Sequence, residues 1–245
     1  MGRSREAMIE CSKLAKRAKQ EIRAARIQSV IAHMESISGY NLDYVTGALI
    51  GDGHVRHEKT GGMCLRLEVT EEAFARKFAS CLYEIVPKTA SVKIGRYVRV
   101  QKRTRVENPE YVSFTKERIL VTWIVRCHEP GVCLFFESRI KAGKEPGAVR
   151  GFLDGLFDAE ACFKKEGRGV GYRFCVHMAD HNMIDRVGLL LSQLEIPSRF
   201  FISKTGYSKA VSVGRKVDLK RLCSIVKFSI PGKEAIRLEI VRRTI

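Results

Sequence analysis

The chain has 245 residues, 45% of them hydrophobic and 29% charged, so it can bury a sizeable core as one large domain or two small ones. Lys and Arg outnumber Asp and Glu by 44 to 27, and the resulting net charge of +17 indicates a polyanionic partner, with nucleic acid as the leading candidate. No apolar run reaches the ~20 residues of a membrane span, and the N-terminus lacks a signal-peptide pattern. We therefore expect no membrane partner and an intracellular protein, in the cytoplasm or an organelle matrix, that is not secreted.

Eight cysteines raise the question of zinc or disulfides, but none of them forms the C-x₂-C pairs of a zinc module. We interpret most of them as small core residues in a reducing compartment. A thermophilic source would allow some of them to form disulfides, and the sequence leaves this open.

Residues 1–39 are predicted to form a basic helical extension. Small or apolar residues recur there at three- and four-residue spacing and make a weak helical stripe: Met8, Cys11, Ala15, Ala18, Ile22 and Ala25. Lys and Arg cover the remaining faces. Two roles stay open: a solvated helix docked by its alanine stripe, or a helix that contacts a nucleic-acid backbone.

An apolar, helix-like run from Tyr44 to Gly53 follows. Gly47 and Gly51 are four residues apart and therefore share one helix face, and the run ends on the carboxylate of Asp52. After a Gly-Gly turn, apolar Leu65, Leu67 and Val69 alternate with polar residues, which predicts a strand. Arg66 and Glu68 lie on its other face and are candidates for contact with nucleic acid.

A helix is predicted from Thr70 to Val86, followed by a strand with an apolar face (Val92, Ile94, Val98, Val100) and a basic one. The basic face is the best candidate for contact with nucleic acid, because its side chains donate to base edges and phosphates. It comprises Lys93, Tyr97, Arg99, Gln101 and Arg103. The partner strand is expected from Tyr111 to Arg126.

The same order then repeats in fewer residues. The run from Phe152 to Ala161 carries Gly155 and Ala159 at the positions of Gly47 and Gly51, 108 positions later, and Glu160 at the position of Asp52. The elements predicted after it are strands at Phe163–Glu166 and Tyr172–Met178, a helix at Asn182–Leu194, a strand through Phe200 and Ile202, a strand at Lys209–Gly214, and helices at Val217–Phe228 and Lys233–Arg243. Arg173, His177 and Lys209 are the nucleic-acid candidates of this half.

The two glycine-containing runs predict a pair of closely packed helices. A glycine inside a helix costs roughly 1 kcal/mol against alanine, and close helix approach is its usual reason. Packed in parallel, the runs would bring Asp52 and Glu160 side by side, where like charges repel unless a cation such as Mg²⁺ lies between them. The alternative interpretation assigns these residues no chemical role: Gly51-Asp52-Gly53 would be a turn that ends a buried helix.

The two runs resemble the signature motifs of the LAGLIDADG homing endonucleases, in the single-chain form with two motifs. The chain departs from the pattern at Ala161, where glycine is preferred, at Thr46 and Asp154, and in having Glu160 for aspartate. The resemblance implies an α+β fold, a saddle of two pseudo-symmetric αββαββα halves at 40–143 and 144–245 preceded by the helical extension at 1–39.

The resemblance further implies a site-specific endonuclease that acts as a monomer. Its target would be double-stranded DNA of about two helical turns. It would hydrolyse phosphodiesters across the minor groove, leave 3′ overhangs, and be encoded in an intron. Asp52 and Glu160, with the backbone at Gly51 and Ala159, would hold two or three divalent ions. Mg²⁺ is expected, with Mn²⁺ able to substitute and Ca²⁺ expected to bind without cleavage.

A basic residue of each half is also expected near the metal site. Our candidates are Lys144 and Lys233, which follow a glycine and precede a glutamate late in each half, 92 and 73 residues after the acid of that half. Glu71 stands where relatives place a polar residue near the metal-bound water.

Two other functions remain as alternatives. One is an RNA maturase that assists splicing of its host intron, and the other is a non-catalytic DNA-binding relative. The presence of both Asp52 and Glu160 favours the nuclease.

Overall fold

A computed structural model describes residues 5–59, 61–106, 113–166 and 171–243, without the side chains of 5–7, 101–106 and 113–118. A long helix, α1 (Arg5–Ser36), precedes two similar halves. The first half contains α2 (Tyr40–Asp52), β1 (Gly53–His57), β2 (Met63–Val69), α3 (Glu72–Ile85), β3 (Val92–Val106), β4 (Ser113–Cys127) and α4 (Pro130–Lys141). The second contains α5 (Val149–Glu160), β5 (Ala161–Glu166), β6 (Gly171–Met178), α6 (His181–Gln193), β7 (Arg199–Ile202), β8 (Lys209–Val213), α7 (Lys216–Ile225) and α8 (Pro231–Arg242).

Each half contains a four-stranded antiparallel sheet with one face covered by helices. The strand orders are β1-β2-β4-β3 and β5-β6-β8-β7, so the two sheets have the same topology. Buried residues form two cores, one in each half, and α2 and α5 join them. The predicted α+β fold of two αββαββα halves is confirmed, with α8 as an additional helix at the end of the second half. The division at 143/144 stays a prediction, and it falls in the connection between α4 and α5.

Local sequence explains where several helices begin. Proline occupies the start of α4 and of α8, where its fixed φ suits the helix and its missing N–H costs nothing. At the start of α6 the Asp180 carboxylate accepts a hydrogen bond from the Met183 N–H at 3.1 Å. None of the helices in the described part of the chain combines the length and hydropathy that a membrane span requires.

The first of the two roles left open for α1, docking through its alanine stripe, does not fit the structure. Every residue of the stripe is exposed, and Ile22 retains 70% of its accessible surface. The buried residues of α1 are Val30 and Met34, near its C-terminal end, and Val30 lies against Gly131 of α4. The stripe is directed roughly a third of a turn away from this packed face, since successive residues are about 100° apart.

The apolar face predicted for β3 is only partly buried. The register confirms the alternation, but Ile94, Val98 and Val100 are 39%, 58% and 57% exposed. For Val98 and Val100 the cause is length: β3 and β4 pair over 15 residues, whereas β2 joins β4 only between Trp123 and Cys127. The rest of the pair is a two-stranded ribbon, for which β7 and β8, of four and five residues, provide no equivalent.

Most of the cysteines are core residues, as predicted. Six of the eight are buried, Cys162 is intermediate and Cys11 is exposed, and all eight are free thiols.

Candidate active site and nucleic-acid interface

The helices α2 and α5 pack backbone against backbone at their glycines. A Cβ placed on Gly47 would overlap the carbonyl oxygen of Phe152. A Cβ placed on Gly155 would overlap the carbonyl oxygen of Tyr44. The contacts advance in the same direction along both helices and end where Gly51 meets Ala159, so the pair is parallel, as the sequence predicts.

Two hydrogen bonds between side chains, one partly buried and one buried, fix the register of this helix pair. The hydroxyl of Tyr40 donates to Asp154 at 2.9 Å, and the hydroxyl of Tyr44 donates to Asp158 at 2.7 Å. Asp154 also accepts from the Lys227 N–H at 2.9 Å, which explains why a carboxylate is tolerated at this departure from the family pattern. Burial raises the pKa of Asp154 to about 6.

The sequence analysis did not identify these four residues as a set. The sequence does contain a spacing that indicates them. The two tyrosines are four residues apart on one run and the two aspartates four apart on the other, so each pair lies on one helix face.

Asp52 and Glu160 are the last residues of α2 and α5, and the first strand of each half begins directly after them. A Cβ on Gly51 would lie 3.1 Å from Glu160 Cγ, so the two helix ends are in contact. Burial raises the pKa of both carboxyl groups, and the charge of Asp52 further raises the pKa of Glu160. Ala161 fits after Glu160 because its backbone is extended, with φ of −83°, and needs no glycine.

Lys233 lies beside the two acids. It is the third residue of α8, and its Nζ donates to the carbonyl oxygens of Phe157 at 3.0 Å and Asp158 at 2.6 Å, at the C-terminal end of α5. Its charge lowers the pKa of both Asp52 and Glu160 against the effect of burial. Burial lowers the pKa of Lys233 itself, while the surrounding carboxylates oppose that shift.

A cavity of about 290 Å³ opens at this junction. Asp52, Lys233 and the segment from Glu68 to Glu71 line it, so Glu71 lies where the sequence analysis expected a polar residue. The cavity is therefore lined by four acidic residues, Asp52, Glu68, Glu71 and Asp158, and by the ammonium group of Lys233.

The open face of the first sheet, on the side away from α3, carries the predicted polar side chains. Arg66 and Glu68 of β2 share this face with Lys93, Tyr97 and Arg99 of β3. Arg99 pairs with Glu68 at 3.6 Å, and the Arg126 guanidinium lies 5.2 Å from the centre of the Tyr97 ring. Gln101 and Arg103 continue the alternation along β3, but their side chains lie outside the described part of the structure.

The open face of the second sheet is smaller. Arg173 and His177 of β6 lie there, with Lys164 Nζ 3.0 Å from His177 Nε2 and Arg173 over the Phe201 ring. Lys164 and Phe201 were not among the predicted residues.

Comparison with known proteins identifies the fold of this architecture. A family model described as a LAGLIDADG-like domain matches residues 147–228. Mesophilic variants of the homing endonuclease I-DmoI share 13% identity, cover 86% of this chain and 98% of their own, and superpose with a TM-score of 0.53. The chain has the LAGLIDADG homing endonuclease fold. The predicted resemblance is thereby confirmed for the fold.

Two further structures have the same fold. The homing endonuclease I-WcaI, bound to its DNA recognition sequence, shares 10% identity over 80% of this chain and 85% of its own, with a TM-score of 0.51. Full-length DUF199/WhiA from Thermatoga maritima shares 11% identity over 89% of this chain and 66% of its own, with a TM-score of 0.50. No curated protein sequence matches the chain significantly.

Two of the predicted residues lie elsewhere in this LAGLIDADG fold. Lys209 alternates with Val211 and Val213, which puts it on the helix-covered side of its sheet, where it pairs with Asp185 of α6. Lys144 lies exposed in the connection before α5, a helix of roughly 18 Å whose far end carries Glu160. The structure therefore brings Lys233, but neither Lys209 nor Lys144, to its predicted surroundings.

The donors at the helix ends suit a hard divalent cation. Two carboxylates with raised pKa values lie at helix C-termini, where the backbone dipoles also favour positive charge. Among the described residues, no three His, Cys, Asp or Glu side chains come together as a metal site. A cation there would complete its coordination with water or phosphate oxygens, as Mg²⁺ commonly does.

Proposed function

We propose that this protein is a site-specific DNA endonuclease that hydrolyses both strands of a duplex in the presence of a divalent metal. The observation that carries the proposal is the meeting of Asp52, Glu160 and Lys233 at the ends of two parallel helices, at the junction of two sheets with polar open faces. I-DmoI, which has this fold, was determined in complex with DNA and Ca, and in complex with target DNA in the presence of Mn.

The two open sheet faces would hold the duplex. Arg66, Lys93, Arg99 and Arg173 supply donors that suit phosphates and guanine edges, and the net charge of +17 provides long-range attraction to DNA. Two sheets in a single chain favour a monomer on an asymmetric target of about two turns.

The carboxylates of Asp52 and Glu160, with the backbone oxygens of Gly51 and Ala159, would hold the metal. When bound, a divalent ion would lower the pKa of a water molecule and neutralise charge on the departing oxygen. Mg²⁺ is the proposed ion, Mn²⁺ a working substitute, and Ca²⁺ an ion that binds without supporting cleavage.

Each acid would serve one strand, because each ends the motif helix of a different half. Cutting across the minor groove would then leave 3′ overhangs, as the resemblance implies. An intron origin and an intracellular location, also predicted from the sequence, agree with such a substrate.

The proposal is tested with a circular DNA that carries the host sequence rejoined across the gene's own position. We expect linear product with Mg²⁺, none with EDTA, and binding without cleavage with Ca²⁺. Specific binding without cleavage in any divalent metal would instead support the non-catalytic alternative, and rescue of intron splicing by a protein that does not cut would support the maturase.

Lys233 is proposed to stabilise the negative charge of the phosphate in the transition state. Lys233→Met should lower the single-turnover cleavage rate about a hundredfold, a typical loss for one electrostatic donor, with DNA affinity within a few-fold of wild type. Lys144→Met should change the rate little, because Lys144 precedes the opposite end of α5. Equal losses in the two variants would contradict this assignment.

A further inference from the structure

The exposed part of α1 is a strongly basic surface that the proposed active site does not use. Residues 8–26 are exposed on every side, although the helix is continuous from Arg5 to Ser36. Its basic residues in this stretch are Lys13, Lys16, Arg17, Lys19, Arg23 and Arg26, against two acids, Glu10 and Glu21.

These cations all lie on one side of the helix. At about 100° per residue, the six fall within one half of the circumference, and Val30 and Met34, which pack against the body of the protein, fall in the same half. The basic side of α1 is therefore the side that faces the body.

Two contacts confirm this orientation. Arg26 pairs with the buried Glu129 at 2.7 Å, and Arg23 donates to the carbonyl oxygen of Gly61 at 3.5 Å. Gly61 belongs to the turn between β1 and β2, at the end of the first sheet remote from Asp52. From Arg23 to Met8 the helix continues for about 22 Å past this contact.

Three cations beyond the turn have no partner among the residues that the structure describes. Lys13, Lys16 and Lys19 form no ion pair with any residue in the described part of the chain. They lie beyond the contact with the turn at Gly61, on the side of the helix that packs against α4 further along.

We propose that α1 is a second DNA-binding element, which contacts the phosphate backbone of duplex flanking the target. This inference rests on the proposed function, because the sheets must first place a duplex beside the turn at Gly61. A row of unpaired cations without a shaped pocket matches a phosphate backbone, which is recognised by charge rather than by sequence.

A membrane surface is the competing partner for a basic amphipathic helix. The apolar side of α1 holds three large residues, Met8, Leu14 and Ile22, and its other members are small, among them Ala15, Ala18 and Ala25. Its cations also lie on the side that holds Val30 and Met34, rather than flanking the apolar side symmetrically. Both features favour DNA over lipid.

The test compares two variants that each lose three charges. Lys13, Lys16 and Lys19 are changed together to Gln, which keeps a good helix propensity. In the control Lys216, Lys227 and Arg242, which are exposed on or beside α7 and α8, are changed together to Gln. Binding to mixed-sequence duplexes of about 20 and 40 bp, or two and four turns, is measured against salt concentration.

On the longer duplex we expect the α1 variant to lose about 2 to 3 units of the log–log salt slope, at roughly 0.9 per phosphate contact. On the shorter duplex it should bind like wild type, and the control should match wild type on both duplexes. These results together would support the inference.

An α1 variant that matches the control on both duplexes would overturn the inference and leave the proposed function intact. Stronger charge-dependent binding of α1 to anionic vesicles or to single-stranded RNA than to the longer duplex would also overturn it. If wild type bound neither duplex, the proposed function itself would fail.

Discussion

Asp52→Asn and Glu160→Gln are each expected to abolish double-strand cleavage while leaving DNA binding nearly intact. The amide keeps the size of the side chain but loses the charge that would hold a divalent ion. We expect the cleavage rate to fall by at least about a thousandfold, the upper end for loss of one electrostatic contributor. The measurement is single-turnover cleavage of a supercoiled target, with nicked and linear products counted separately.

The unfolding temperature of each variant shows whether a loss of cleavage could come from a loss of folding. Burial raises the pKa of both carboxyl groups, and the charge of Asp52 adds to the shift at Glu160, so their negative charges are held at a cost in the folded protein. The amide variants should therefore unfold at the same temperature as wild type or slightly higher. Glu145→Gln, at a side chain 75% exposed, is the matched control and should cut normally. Wild-type cutting by Asp52→Asn or Glu160→Gln would refute the assignment of the site.

Gly155→Ala is expected to cause the largest loss of stability of any single methyl addition in the helix pair. The added Cβ would overlap the carbonyl oxygen of Tyr44 and lie 3.0 Å from the Ala48 nitrogen. Backbone atoms cannot rotate away as a side chain can, so α2 and α5 must separate. We expect unfolding free energy to fall by about 3 kcal/mol or more, the upper range for overpacking.

Gly232→Ala is the control for this effect. Gly232 also lies in a helix, but a Cβ there would meet nothing within 4 Å. That change should be neutral or stabilise by up to about 1 kcal/mol, because alanine favours the helix. Urea unfolding measures both variants, and a stability of Gly155→Ala within about 1 kcal/mol of wild type would show that the helices are not held by backbone contact.

The sequence predicted those features that depend on local periodicity. Small residues four apart, Gly47 with Gly51 and Gly155 with Ala159, identified the packed faces of α2 and α5, and the two acids followed from their common register. Strand alternation likewise placed Arg66, Lys93 and Arg99 on one face. In these cases the spacing within one element determines which side chains lie together.

Features that depend on the relation between elements were predicted less well. The Gly-Lys-Glu repeat matched Lys144 to Lys233, yet one lies in a connection and the other in a helix that has no equivalent in the first half. Periodicity found the stripe of α1 but could not show that Val30 and Met34, on another face, make the contact. For Lys209 the alternation with Val211 and Val213 was present in the sequence and indicated the covered face.

The hydrogen bonds between α2 and α5 also determine which halves can pair. All the donors, Tyr40 and Tyr44, belong to the first half, and all the acceptors, Asp154 and Asp158, belong to the second. A symmetric dimer of two first halves would have no carboxylates facing these hydroxyls, and a dimer of two second halves would bury four carboxylates without them. The interface is therefore complementary but not self-complementary, so the polar contacts that stabilise the single chain also disfavour homodimers of either half.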